Sequence, residues 1–238
     1  MIRKLFLRLF LLGALLAPTA GAQTLDEVLA KHAAAHGGLE KWRAVTSMII
    51  TGTQVIFSEA HPFLYEFRRP DLSRFEQVML GKKMTIGHDG KVTWWVHPIF
   101  DINTPTAVTE TGAVLARHIA EFESPLIDAA AKGHKVELLG KDEVDGQPAL
   151  KLKVTRKDGF QETWYLDPST HLELARFDTT LDLPDAQERW TWYSDFRTVE
   201  GLVLPHRQDQ EYSIRHVSLT IEKVQVNPEI AAGRFEMK

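Results

Sequence analysis

The stretch GKDEVDGQPALKLKVTRKDGFQETWYLDPSTHLELARFD, residues 140–178, decides the fold. In residues 150–155, leucine and valine alternate with lysine and threonine, which is the period-two pattern of a strand with one apolar and one polar face. Asp-Gly pairs at 145–146 and 158–159 and the sequence Asp-Pro-Ser-Thr at 167–170 indicate tight turns between such strands. The stretch therefore predicts an antiparallel meander whose apolar face needs a covering layer.

Composition limits the class of protein. The chain has 238 residues, 44% hydrophobic and 25% charged, which is typical of a globular protein and compatible with one domain. The 28 basic and 32 acidic residues give a net charge of -4, which argues against nucleic-acid binding. Neither a GxxxxGK[ST] nor a GxGxxG motif is present, so a nucleotide site is not predicted. The absence of cysteine excludes disulfides, thiol nucleophiles and a lipidated cysteine.

The N-terminus has the pattern of an export signal. Basic residues flank and interrupt an apolar run at 5–16, and Ala20-Gly21-Ala22 supplies a small-x-small cleavage site. The alternative, an uncleaved membrane anchor, is less favoured because the run is shorter than the roughly 20 residues that a spanning helix needs. We expect residues 1–22 to be a cleaved signal peptide and residues 23–238 to form one exported, periplasmic domain.

The remaining pattern is mainly strands. Thr24 and Glu27 form a capping-box pair at the start of a helix predicted over 24–42. About ten antiparallel strands follow, interrupted by a predicted helical insertion at 104–133, in which Thr104-Pro105 starts a helix over 108–120 and a second short helix covers 126–131. The fold class is therefore α+β, mainly antiparallel β. The sheet either closes into a barrel or curves over the helices, and the two helical segments favour the second arrangement.

Several segments in the same order along the chain resemble the LolA/LolB-like superfamily of outer-membrane lipoprotein-sorting proteins, as a broad group rather than LolA itself. The segments are AAAHGGLEKWRAVTSMIITGT, GHDGKVTWWVHP, EFESPLIDAAAKGHKVELLGKDEVDGQPALKLKV, ETWYLDPSTHLELAR, YSDFRTVEGLVLPHR and IEKVQVNPEI. The resemblance implies a strongly curved, incomplete (half) β-barrel with helices covering the concave face. It also implies a hydrophobic cavity between sheet and helices that binds lipid or lipoprotein acyl chains during transit through the periplasm.

Bulky apolar residues are the candidate lining of that cavity. Trp94 and Trp95 are neighbours on a predicted strand, so one lies on each face of the sheet. Pockets for apolar ligands are lined mainly by hydrophobic and aromatic side chains, although packing in a filled core is the alternative for each of these residues. The predicted ligand-binding set is Phe63, Phe67, Trp94, Trp95, Leu115, Ile119, Trp164, Trp190 and Trp192. The insertion at 104–133 is the predicted lid.

Catalytic and metal-binding patterns are weak. His32 and His36 have the i, i+4 spacing of a helical metal site, but only alanines separate them, so HExxH is absent and packing or solvated histidines are favoured. Other candidates for acid–base or nucleophilic chemistry are scattered and lack a GxSxG motif: His97, His118, His134, Asp89, Asp101, Ser124 and Ser194. We therefore predict no enzyme, no metal and no cofactor.

The sequence thus predicts a monomeric periplasmic carrier or chaperone for a lipid, acyl chain or lipoprotein. A basic patch of Arg68, Arg69 and Arg74 is a candidate for transient membrane contact. The alternative is a non-enzymatic sensor or assembly module that uses the curved sheet to contact a cell-envelope protein partner and has a filled core without a cavity.

Overall fold

The computed structural model describes residues 23–108, 113–114, 117–118, 121–179, 188–212 and 215–238. Helix α1 spans Leu25–Ala35 and begins with the predicted capping box between Thr24 and Glu27. Helix α2 spans Leu39–Ala44. Neither helix is long and apolar enough to cross a membrane. The predicted signal peptide, residues 1–22, lies outside the described residues.

Strands account for most of the described chain, in a 13-stranded antiparallel sheet rather than the ten predicted. Their bounds are β1 Ser47–Ile56, β2 Glu59–Arg68, β3 Leu72–Met79, β4 Lys82–Asp89, β5 Thr93–His97, β6 Ile102–Ala107, β7 Lys135–Val144, β8 Gln147–Thr155, β9 Gln161–Leu166, β10 Glu173–Thr179, β11 Glu188–Val199, β12 Leu202–Tyr212 and β13 Arg215–Val226. The meander predicted from residues 140–178 is confirmed as β7 to β10.

The strand order is β6-β5-β4-β3-β2-β1-β13-β12-β11-β10-β9-β8-β7. Two meanders are thus joined where the first strand pairs with the last, and the edges β6 and β7 stay apart, so the curved sheet remains open. This confirms the predicted mainly antiparallel half-barrel. A register shift between Thr51 and Gly52 bends β1. A Cβ on Gly52 would lie 2.0 Å from Thr220 O and 2.9 Å from the Phe63 ring, so only glycine fits there.

The helical insertion differs from the prediction. Thr104 and Pro105 lie in the edge strand β6 and do not start a helix; proline is tolerated there because one side of an edge strand needs no ladder partner. Residues 126–131 form consecutive turns instead of the predicted second helix. Within 108–120 only residues 113–114 and 117–118 are described as helical, and the other residues of the helix predicted there, except Val108, lie outside the described part.

Helices and turns cover the face of the sheet that we call the inner face, which carries Ile50, Tyr65 and Leu152. Trp42 of α2 packs with Met48, Phe67 and Leu204 in one buried cluster. Val28 of α1 packs with strands β8 and β9 in a second cluster. A third cluster, around Tyr165 and Ala175, lies on the opposite, outer face.

Candidate functional site

A cavity of about 460 Å³ lies between the inner face, the C-cap residue of helix α1 and the segment 121–125. Its volume is within the range of about 300–1,000 Å³ that small-molecule sites occupy. Strands from both meanders and the connection between β6 and β7 contribute to the lining. The cavity has two unlike walls, one aromatic and aliphatic, the other charged.

The apolar wall comes from β1 to β4, β12 and β13. Phe63, Tyr65 and Phe75 meet here, with ring centroids 4.5 Å apart for Tyr65 and Phe75 and 5.3 Å apart for Phe63 and Tyr65. Phe122 closes this wall from above, 5.5 Å from the Phe67 ring. Other apolar residues of this wall are Trp42, Ile50, Ile86, Leu204, Leu219 and Ile221.

The charged wall is a chain of ion pairs on β9 to β11, joined by Arg156 directly after β8 and by Glu121 of the connection between β6 and β7. The Arg156 guanidinium donates to both oxygens of Glu162 at 3.1 and 3.2 Å and to Glu121 at 2.6 Å. Arg189 donates to Asp178 at 2.9 Å. Arg176 lies between the two groups, with Nε 2.8 Å from Asp178 and Nη1 3.8 Å from Glu162. Because cations and anions alternate along this wall, each buried or partly buried charge has a partner of opposite sign.

The same partners set the protonation of the wall. Burial opposes ionisation of Glu121, but hydrogen bonding to His134 and the charges of Lys132 and Arg156 outweigh it and lower its pKa to about 2. Burial raises the pKa of Tyr193 to about 12 and also raises that of Tyr65. The two phenols therefore stay neutral, while Glu121 stays ionised through the physiological range.

A second polar group adjoins the cavity under α1. His36 Nε2 lies 2.8 Å from Glu173 Oε2, and His32 Nε2 lies 3.6 Å from Glu173 Oε1. Burial lowers the pKa of His32 to about 4. For His36, burial acts in the same direction, but the charge and hydrogen bond of Glu173 outweigh it and raise its pKa. Both histidines are buried, so the solvated alternative considered from the sequence does not apply to them.

Ser124 is not part of a catalytic triad in this arrangement. Its Oγ lies 3.1 Å from His32 Nε2, but His32 Nδ1 contacts the backbone oxygen of His171 at 2.8 Å rather than a carboxylate. Glu173 approaches the same nitrogen that faces Ser124, whereas a triad places its acid on the opposite ring nitrogen. The geometry is not that of a serine hydrolase.

The other scattered candidates have separate partners. His118 pairs with Asp158 at 2.8 Å, and His134 pairs with Glu121 at 3.0 Å. His97 stacks on Phe100, with ring centroids 4.2 Å apart. Among the contacts of the described residues, none joins these histidines to Asp89 or Asp101, so the acid–base site considered from sequence is not assembled.

The predicted lining residues are divided among three places. Phe63, Phe67 and Trp164 line the cavity. Trp95 is on the inner face beside Ile86 but is not part of the lining, whereas Trp94 is on the outer face, as expected for its neighbour. Trp94 donates to Phe235 O at 2.9 Å and lines a separate depression of about 270 Å³. Leu115 and Ile119 lie outside the described residues.

Trp190 and Trp192 lie on the outer face, outside the cavity. They pair with Phe177 and Ala175 of β10, whose outer-face neighbour on β9 is Tyr165. Their indoles stack with ring centroids 6.0 Å apart. The intervening residue, Thr191, points inward and is fully buried. Apolar character suggested a lining role for the two tryptophans, but the strand register determines which face they occupy.

The basic patch proposed for membrane contact is largely neutralised. Arg69 pairs with Glu123 at 2.9 Å, and Arg74 pairs with Glu76 at 2.7 Å. Sequence reasoning missed the charged wall altogether. One signal of this wall was present in the sequence. Glu162 and Trp164 are two residues apart on β9, so a charged side chain and a bulky aromatic side chain share one face of the strand.

Comparison with known proteins supports the fold assignment. No family model matches the sequence. No curated protein matches it either. Solved structures, however, match over most of the chain. One is a putative outer membrane lipoprotein-sorting protein domain from Vibrio parahaemolyticus, 9% identical, with a TM-score of 0.59, covering 89% of this chain and 95% of the other.

Two further structures match equally well. A LolA superfamily protein from Nitrosomonas europaea is 11% identical, with a TM-score of 0.59 and coverage of 90% and 98%. The chain has the LolA fold. A DUF1329 family protein from Desulfovibrio piger is 10% identical, with a TM-score of 0.62 and coverage of 89% and 97%. At these identities the likeness establishes the shared fold alone, and it confirms the LolA-like fold inferred from the sequence segments.

Proposed function

We propose that the protein is a periplasmic carrier or chaperone that binds a lipid, an acyl chain or the acyl group of a lipoprotein between the sheet and its cover. The observation that carries this proposal is the cavity of about 460 Å³ with an aromatic wall facing a charged wall. An amphipathic ligand has the matching division into an apolar tail and a polar head. The LolA fold, shared with a structure described as a lipoprotein-sorting domain, supports the same class of ligand.

The apolar wall supplies the affinity in this proposal. Burial of a methylene group contributes about 0.8 kcal/mol, so ten methylenes placed against Phe63, Tyr65 and Phe75 would contribute about 8 kcal/mol. Ordering of the chain and loss of free motion offset part of this gain. A tail of this length therefore binds usefully without any catalytic or metal contact.

The charged wall orients the headgroup. Arg156, Glu162 and Arg176 alternate in sign along it, and Tyr193 adds a neutral hydroxyl. Such a wall offers hydrogen bonds to a polar or zwitterionic head without the attraction for a bare anion that an unpaired arginine would exert. The polar head lies towards β9 to β11 and the tail towards β2 to β4.

Residues 108–133, the part of the predicted insertion that connects β6 to β7, act as the lid, and residues 23–238 act as one lipid-binding domain after removal of the signal peptide. Phe122, Ser124 and Pro125 of this segment line the cavity. A ligand enters when this connection moves away from β2, which is possible because β6 and β7 at its ends are unpaired with each other. The protein works as a non-enzymatic monomer, and the non-enzymatic role is supported by the arrangement around Ser124 and His32, which is not that of a catalytic triad.

Native mass spectrometry of protein purified from the periplasm, together with uptake of a fluorescent fatty acid, tests this proposal. We expect co-purifying lipid and saturable uptake by the wild type. Ile86→Trp places extra volume on the cavity wall and should reduce uptake about 10-fold or more. The matched control, Leu64→Trp, adds the same side chain to the outer face of β2 in the same meander and should leave uptake unchanged.

Absence of both co-purifying lipid and uptake would overturn the carrier proposal. Equal loss in Ile86→Trp and Leu64→Trp, with both variants folded, would also contradict the assigned cavity. Either result would favour the alternative, a sensor or assembly module that contacts a cell-envelope protein. Pull-down with envelope extract would then be the appropriate next measurement.

A further inference from the structure

Three side chains with metal-binding atoms converge under helix α1. His32 and His36 are one helical turn apart, and both direct Nε2 at the carboxylate of Glu173 on β10, at 3.6 and 2.8 Å. The candidate ligand atoms all lie within 4.8 Å of one another. The exposed fractions of the three side chains are 0%, 3% and 4%. Burial of three such groups together is costly unless each has a partner.

Both imidazoles are oriented by their other nitrogen. His32 Nδ1 lies 2.8 Å from the backbone oxygen of His171, and His36 Nδ1 lies 2.8 Å from that of Val203. A backbone oxygen can only accept, so each Nδ1 is the protonated nitrogen. A hydrogen bond from one ring nitrogen to a carbonyl is the usual outer-shell arrangement of a metal-bound histidine, and it leaves Nε2 as the ligand atom.

A strand irregularity brings the third group to this point. Along a regular β10, Glu173 would share the outer face of Ala175, two residues away. The register shifts between Glu173 and Ala175, so that Glu173 pairs with Leu166 whereas Ala175 pairs with Tyr165. Leu174 and Ala175 then both belong to the outer cluster. The bulge turns the Glu173 carboxylate inward to face the two histidines.

The candidate ligand atoms are near the spacing that a bound ion requires. With bonds of about 2.0–2.1 Å, two ligands of a tetrahedral metal stand about 3.3 Å apart. The His32 to Glu173 distance of 3.6 Å is slightly longer and the His36 to Glu173 distance of 2.8 Å slightly shorter, and the two distances end on different carboxylate oxygens. The ligand atoms of all three side chains lie within 4.8 Å of one another, so movement of the imidazoles as well as the carboxylate would bring them around an ion.

We propose that His32 Nε2, His36 Nε2 and the Glu173 carboxylate bind one divalent transition-metal ion, with Zn²⁺ as the best match. Two imidazoles and one carboxylate suit zinc, whereas Mg²⁺ and Ca²⁺ need six or more ligands, nearly all oxygen. The fourth position lies towards Ser124, whose Oγ is 3.1 Å from His32 Nε2. His36, Ser124 and Glu173 also line the cavity, so water or a ligand headgroup can complete the site from that side.

The ion would fasten the cover to the sheet. His32 belongs to α1 and His36 is its C-cap residue, Glu173 belongs to β10, and His36 is also bonded to Val203 of β12. An ion pair between His36 and Glu173 accounts for one histidine, whereas His32 Nε2 has Ser124 Oγ as its partner and also faces the same carboxylate. This site is independent of the lipid proposal, since either can fail while the other holds.

Titration of the full, untagged, chelator-treated chain with ZnCl2 tests the site. We expect one equivalent to bind by calorimetry, an increase in melting temperature, and no comparable response to MgCl2. His32→Gln and Glu173→Gln should each weaken zinc binding by more than about 100-fold, because even changes outside the ligand shell cost about 10–100-fold. His216→Gln, at an exposed histidine paired with Glu211, is the control and should bind as the wild type does.

Failure of the wild type to bind one equivalent would overturn the proposal, as would unchanged affinity in folded His32→Gln. If the variants do not fold, Co²⁺ added to the wild type decides the matter. Intense visible absorption, abolished by excess Zn²⁺, supports a four-coordinate nitrogen–oxygen site. Weak absorption of the hexaaqua type counts against it.

Discussion

Arg69 holds Glu123 at 2.9 Å and so ties the turn after β2 to the segment that closes the cavity. The same guanidinium donates to Val45 O at 2.7 Å and to Trp42 O at 3.2 Å. It also lies 5.0 Å above the Phe122 ring. One side chain therefore joins the end of α2, the start of β1 and the cavity cover.

Replacement of Arg69 should loosen this junction. We expect Arg69→Ala to lower the free energy of unfolding by about 2–3 kcal/mol, because hydrogen bonds to charged groups contribute about 1.5–3 kcal/mol and Lys132 still contacts Glu123. Urea unfolding measures the change. The neighbouring Arg68→Ala removes the same charge and should cost much less; equal losses would contradict the role given to Arg69.

Interruption of the charged wall should lower the free energy of unfolding more than Arg69→Ala does. Arg156→Met leaves Glu121 and Glu162 without their shared partner, and we expect a loss of about 3–5 kcal/mol, as for other buried pairs broken on one side. Chemical denaturation checks this value. Lys151→Met breaks an exposed pair with Asp142 and should leave stability nearly unchanged. A small effect at Arg156 would mean that water already screens the wall.

The close approach of neighbouring atoms at the Gly52 bulge predicts that any side chain at this position destabilises the protein. Because the added Cβ of Gly52→Ala would overlap Thr220 O and press on the Phe63 ring, we expect destabilisation of about 1–3 kcal/mol, typical of overpacking. Thermal unfolding provides the measurement. Gly233→Ala meets the flexible ends of the Lys238 and Glu236 side chains and no backbone atom, and it serves as the control. Tolerance of alanine at position 52 would show that β1 and β13 can separate there at little cost.

Acid should weaken the fold through Glu121. Its pKa falls from 4.5 to about 2 on folding, so its stabilising contribution is complete above about pH 4.5 and is lost as the pH falls towards 2. The wild type should lose stability over this interval, and Glu121→Gln should lose less. Urea unfolding at several pH values between 7 and 2.5 measures the difference. Parallel pH profiles of the two proteins would contradict the assignment.

Local sequence determined the strands and their relative faces. The alternation in 150–155 and the Asp-Gly turns specify an antiparallel meander, because side chains on a strand have a period of two and these turns reverse the chain. The same rule placed Trp94 and Trp95 on opposite faces, and the capping residues Thr24 and Glu27 started α1. These features depend on contacts between residues close in sequence.

Only the tertiary structure decided which face encloses the cavity and what meets there. The period of two along a strand predicts that Trp190 and Trp192 share a face, but only the pairing with β10 shows that this is the outer face of the sheet. Arg156 and Glu162 look like surface charges in the sequence, and they become a buried wall because each neutralises the other across a hairpin. His32, His36 and Glu173 meet through a bulge and a separation of 137 residues between His36 and Glu173. Such contacts depend on long-range register, which no local pattern encodes.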